Sequence, residues 1–82
     1  MSFQLKIITP EKLVFEGTVE SLKCPGLDGL FGILSSHAPM VSALGDGDLV
    51  YIDGGKETTV KVSGGFLEVK DDVCSVMTDS AE

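Results

Sequence analysis

Hydrophobic and polar residues alternate with a period of two along much of the chain, which predicts strands and not helices. Residues 3–7 put Phe3, Leu5 and Ile7 on one face, and Thr9-Pro10-Glu11 stops the run because proline removes a ladder donor. Residues 15–24 read as a second strand. Gly17 and the lost alternation after it mark a bulge or a change of sheet, and Pro25-Gly26 closes the strand. Residues 28–44 are less regular. Short strands at 31–34 and 40–44, joined by Ser35-Ser36-His37-Ala38-Pro39, fit them best, since the residue before a proline is pushed to extended geometry. Gly45-Asp46-Gly47-Asp48 reads as a turn.

The last third reads as a meander of strands at 49–52, 58–62, 66–70 and 73–78. Its turns fall at Asp53-Gly54-Gly55-Lys56, at Gly64-Gly65 and at Asp71-Asp72. Asp-Gly and Gly-Gly supply the positive φ angles of a two-residue hairpin loop. Helix signals are nearly absent, and ten glycines are scattered through the chain. The expected fold is therefore all-β, a flattened sandwich or barrel of about eight to ten short strands. Residues 1–82 are expected to form a single domain, with no linker, internal repeat or low-complexity run.

Composition narrows the function. The chain has 6 Lys+Arg, all lysine, against 13 Asp+Glu, a net charge of −7. Nucleic acid is a poor partner, because phosphate binding is driven by cations and the bidentate arginine fork is missing. With 43% hydrophobic and 23% charged residues the chain folds, but its length buries only roughly 60 to 65% of the unfolded surface. Its core is expected to rely on very regular packing or on a partner. No apolar stretch approaches the roughly 18 residues of a membrane span, and no export signal leads the chain, so a soluble, untargeted protein is expected.

Catalytic chemistry is thinly supplied: one histidine, two cysteines and no tryptophan. Cys24 and Cys74 lie in apolar or alternating segments and read as reduced, buried hydrophobes. Cys24 with His37 lacks an orienting third group for a nucleophilic pair. Cys24, His37 and Cys74 lack the paired spacing of a zinc site. Gly29-Leu30-Phe31-Gly32 lacks the lysine of a phosphate loop, and is read as glycines required by the backbone. Asp46, Asp48, Asp53, Asp71 and Asp72 read as solvated turn residues, and His37 as a hydrogen-bonded structural residue. No catalytic residue, cofactor, metal or small-molecule substrate is expected, which leaves a binding scaffold.

Two segments carry a family resemblance. The run Gly29-Leu30-Phe31-Gly32-Ile33-Leu34-Ser35-Ser36-His37-Ala38-Pro39-Met40-Val41-Ser42-Ala43-Leu44 resembles the signature of the epsilon subunit of rotary ATP synthases, which reads Gly-Glu-Phe-Gly-Ile-Leu-Pro-x-His-Ala-Pro followed by an apolar tail ending Ala-Leu. Val62-Ser63-Gly64-Gly65-Phe66-Leu67-Glu68-Val69 is similar to a second family motif, Ser-Gly-Gly-Phe-Leu-Glu-Val. The motif positions shared are Gly29, Phe31, Gly32, Ala38, Pro39, Gly64 and Gly65.

The resemblance implies a flattened β-sandwich that joins the gamma subunit in the central stalk and sits on the membrane ring of c subunits. It implies a non-catalytic role, coupling ring rotation through gamma to ATP synthesis, peripheral to the cytoplasmic face of a bacterial inner membrane. Asp28, Leu30 and His37 would then lie on the loop edge facing the c-ring, and Met40, Ser42 and Leu44 toward gamma. Three departures stand out. Leu30 replaces the usual glutamate, Ser35 replaces the usual proline, and the sequence stops at Glu82, before the helical hairpin that restrains hydrolysis and binds ATP in family members. Loss of both hairpin activities is the expectation. The alternatives are a lipoyl or biotin carrier domain, for which Lys56 and Lys70 are near turns but outside the carrier patterns, and a structural β module of another complex.

Overall fold

Nine strands form in the computed structural model, which describes residues 2–34 and 38–82. They are β1 (Phe3–Ile8), β2 (Leu13–Val19), β3 (Ser21–Gly26), β4 (Gly29–Leu34), β5 (Met40–Ala43), β6 (Gly47–Asp53), β7 (Lys56–Val62), β8 (Phe66–Lys70) and β9 (Val73–Met77). Two sheets stack face to face. One runs β2-β1-β9-β8-β5, the other β4-β3-β6-β7. The expected all-β sandwich is the fold observed.

Period-two patterning decides which residues meet between the sheets. Leu5, Ile7, Leu67, Cys74 and Val76 project from the five-stranded sheet onto Leu22, Cys24, Ile33, Leu49 and Val62 of the other, all buried. Each such side chain removed from water stabilises the fold by about 1.5–3 kcal/mol. The Phe15 and Tyr51 rings, 4.5 Å apart, join the two sheets near the β2–β3 corner. Cys24 and Cys74 are free and fully buried, as their apolar settings imply.

The break in the second expected strand is a change of sheet. It falls at Glu20 and not at Gly17: β2 lies in one sheet and β3 in the other. Glu20 fixes the corner, because its carboxylate accepts a 2.9 Å hydrogen bond from the Gly55 N–H and its own N–H donates to the Ile52 carbonyl. Pro25 does not close the strand; it lies within β3. There β6 has already stopped pairing, at Lys23, so a missing N–H costs no bond on that side.

The meander expected in the last third is also corrected. The β6–β7 and β8–β9 hairpins belong to different sheets, and Gly64-Gly65 carries the chain between them. Gly47 and Asp48, read as turn residues, begin β6. The Gly54-Gly55 loop has φ of 60° and 81°, as the hairpin signal requires. Asp71 and Asp72 adopt φ of 53° and 59° without glycine, which aspartate tolerates better than most residues.

Candidate functional site

Among the described residues reactive groups do not converge. Burial pushes the Cys24 and Cys74 thiols up to about 12, with the charge of Cys74 adding at Cys24, so neither supplies a thiolate near neutrality. Among the described residues no group of three or more His, Cys, Asp or Glu side chains is placed to hold a metal ion. Lys56 and Lys70 are strand residues, in register with Asp53 and Val73, and neither occupies a turn as a carrier lysine would. What the fold does present is surface.

The β3–β4 hairpin ends in a two-residue loop, Leu27-Asp28, fixed by two glycines for different reasons. Gly26 is needed for room, since a Cβ would come within 2.9 Å of the Phe31 ring. Gly29 has open space around it but φ of 125°, which a side chain rarely adopts. Gly32 meets neither condition; a Cβ there would lie 3.7 Å from the Leu22 carbonyl oxygen, an ordinary contact. Phe31 packs partly against the core. Leu27 and Leu30 stand out from the tip at 70% and 71% exposure, and Leu34 on the same edge strand at 63%. Asp28 is exposed between them.

Next to this tip lies β5, one of the two edge strands of the five-stranded sheet. Ala38 and Pro39 are exposed, and His37 and Ser35 lie outside the described residues. The parity of β5 is set by its register. Met40 and Ser42 oppose Val69 and Leu67 and are half-buried, whereas Val41, 69% exposed, and Ala43 face outward. Leu44 overturns its assignment to a partner-facing set, because it is only 3% exposed and belongs to the core. Its N–H donates to the Gly65 carbonyl, and Leu44 bridges to Gly26 of β3, so it closes this end of the sandwich.

The second motif works on the backbone. Gly64 and Gly65 have φ of 63° and 102°, and a Cβ on Gly65 would collide with the Met77 carbonyl oxygen and lie 2.7 Å from the Thr78 Cα. Thr78, almost wholly buried, braces the crossing. Its hydroxyl accepts from the Ser63 N–H at 3.2 Å and lies 3.1 Å from the Ser63 carbonyl, to which it donates.

Pairing also assembles an outer row that sequence reasoning missed. Leu13, Ile8, Met77, Phe66 and Ala43 follow one another across all five strands, and Leu13 and Phe66 are 52% and 45% exposed. The adjacent row, Glu16, Lys6, Ser75, Glu68 and Val41, is mostly polar. A groove of about 360 Å³ between Pro10 and Phe66 opens beside the apolar row. The signal was the outward parity of Ile8, Phe66 and Met77, but only the strand order places them side by side.

Residues 2–82 match the family model described as the ATP synthase, Delta/Epsilon chain, beta-sandwich domain. The chain is 48% identical over 75 residues to an ATP synthase epsilon chain of Leptospira borgpetersenii, covering 92% of this chain and 59% of the relative. It is 48% identical over 81 residues to the epsilon chain of Nitratidesulfovibrio vulgaris strain DP4, covering 99% and 60%. It thus spans about three-fifths of the length of these relatives. Among solved structures, a chain of the Euglena gracilis mitochondrial ATP synthase, described as OSCP/F1/c-ring, superposes with a TM-score of 0.92 at 26% identity, covering 99% of this chain and 52% of that one. A chain of the Tetrahymena thermophila mitochondrial ATP synthase central stalk/c-ring shares the fold, with a TM-score of 0.82 at 14% identity, covering 96% and 64%. The strand order, the glycine crossing and this match over nearly the whole sequence converge: the chain belongs to the ATP synthase delta/epsilon β-sandwich family.

Proposed function

We propose that this domain is a non-catalytic part of the ATP synthase central stalk, joining the gamma subunit to the c-ring so that ring rotation reaches the catalytic head. The observation that carries the reading is the family match across residues 2–82. The superposition on a chain from an F1/c-ring assembly supports it. The work of such a part is to transmit torque without yielding. Two sheets cross-linked by backbone hydrogen bonds around a close-packed interior suit that work, because bending them means breaking many bonds at once.

In this reading the β3–β4 tip, with Asp28 and Leu30, faces the c-ring together with His37. The β5 edge faces gamma, through outward Val41 and the half-buried rim of Met40 and Ser42, while Leu44 holds that edge in place from within. The complex, and not any apolar span in this domain, keeps the protein at the membrane, on the cytoplasmic face of a bacterial inner membrane.

The test is reconstitution. Membranes stripped of this subunit are expected to regain ion-driven ATP synthesis when the purified chain is added with the F1 sector. The chain is also expected to co-purify with gamma. Failure to bind gamma, or turnover of a nucleotide by the chain alone, would end the proposal.

A further inference from the structure

We infer that the free edge of β4 pairs with β4 of a second copy of this chain, antiparallel about a two-fold axis at Gly32, so that two four-stranded sheets join into one continuous sheet. The inference goes beyond the stalk reading and does not depend on it. An edge strand offers unpaired N–H and C=O groups to any other chain, and native edges are blunted by charge, proline, bulges or a covering segment. Three of the four edges here are blunted. β2 is bulged against β1 and carries Glu16, β5 is four residues long and follows Pro39, and β7 carries Lys56, Glu57 and Lys61 and is bridged by Ala81. Among the described residues β4 has none of these devices. Its six residues hold no charge and no proline, and they pair with β3 in unbroken register.

This edge is complementary to itself. Antiparallel pairing about Gly32 sets Leu30 against the partner's Leu34 and Leu34 against the partner's Leu30, with Phe31 and Ile33 paired on the inner side. An axis normal to the sheet keeps outward residues outward, so the two leucines that solvent now reaches, at 71% and 63% exposure, cover one another. Gly32 then acquires a reason. The fold does not require it, since its φ is not positive and a Cβ would meet only the Leu22 carbonyl oxygen at 3.7 Å. Facing its own copy, it leaves a gap over which the two leucine pairs close. Charge does not oppose the approach, although each chain carries −7. Lys23 lies beside Gly32 on β3. Its two copies are three strand spacings apart, about 14 Å, beyond the Debye length of about 8 Å in physiological salt. The two Asp28 side chains fall at opposite ends of the paired strands. An unrelated strand would need none of this symmetry, so a second copy is the occupant. Leu30 cannot serve both this contact and the c-ring, which makes the pair a state of the chain outside the stalk.

One strand pair is a small contact, below the roughly 1,200 Å² of a standard interface, so a dissociation constant on the order of 0.1 mM is expected. Sedimentation equilibrium of the purified full chain between about 0.01 and 1 mM measures it. Leu30→Lys with Leu34→Lys sets like charges opposite each other and should weaken pairing about tenfold, whereas Leu30→Lys with Leu34→Glu sets opposite charges there and should stay within about threefold. Gly32→Cys should give a disulfide-linked dimer under oxidised glutathione, while Thr59→Cys, exposed on the same outer face but on the far strand β7, should not. The native thiols are fully buried and stay out of that reaction. A chain that remains monomeric at about 1 mM overturns the inference and leaves the stalk reading standing. So does a dimer whose two charge variants behave alike, or whose Gly32→Cys form resists linking, because it uses another surface. Should a lysine variant melt early, the two cysteine variants still decide.

Discussion

The two segments that mark the family are built to opposite ends. In 62–69 the shared glycines and alternate residues serve the fold: Gly64 and Gly65 take the chain from one sheet to the other, Val62, Leu67 and Val69 enter the core, and Thr78 braces the crossing, while Phe66 and Glu68 face outward. Among the described residues of 29–44 the interior is served by Ile33 and Leu44, with Phe31 and Met40 packed partly against it, while Leu30, Leu34 and Val41 are left to solvent. A motif is therefore not a functional site by virtue of being a motif. The first segment identifies the fold because few other residues can make the turn, and the second identifies surfaces because its exposed residues are free of the fold.

The sharpest way to break this contrast is Gly65→Ala. A Cβ there meets the Met77 carbonyl in a left-handed conformation, so a loss of about 4 kcal/mol or more is expected, seen as failure to fold or a steep fall in Tm. The interior also predicts an alkaline transition. Thiols held at about 12 in the folded state titrate from 9.0 when unfolded, so the unfolded chain gives up protons first as pH rises. Stability should be flat below pH about 9 and fall by roughly 1.4 kcal/mol per thiol per pH unit up to about 12; urea melts across that range, with Cys→Ala controls, check it.

Thr78→Val strips the brace from Ser63 and should cost about 1–3 kcal/mol in chemical denaturation. On the exposed side, Leu30→Ser should move stability by less than about 0.5 kcal/mol, and a larger loss would show that the tip serves the fold after all. The smallest effect expected is at the β8–β9 turn. Asp71→Asn relieves like charge beside Asp72 at a positive φ and should stabilise by a few tenths of a kcal/mol, roughly 0.3, in a thermal melt.

Faces were legible in the letters and sheets were not. Alternation is enough to bury Phe3, Leu5 and Ile7, and Gly54-Gly55 is enough for a hairpin, because both are local matters of side-chain period and backbone φ. Whether a turn returns a strand to its own sheet or passes it to the other depends on what lies opposite. For that reason Gly64-Gly65 looked like one more turn of a meander, and the break at Glu20 was placed three residues early, at Gly17. Leu44 failed in the same way. Its residue type fits an apolar interface as well as a core, and only the pairing of β5 with β8 and the bridge to Gly26 decides between them.

The parallel pairing of β1 with β9 bears on how the molecule is made. Gln4 lies beside Val73 and Ile8 beside Met77, in the middle of the five-stranded sheet. On a ribosome, β1 can zip to β2 soon after both emerge, but its other flank has no neighbour until almost the whole domain has been translated. Leu5 and Ile7 then wait uncovered, and the slow step of folding is expected to be this late closure of distant strands, with chaperone capture most probable in the interval before β9 arrives.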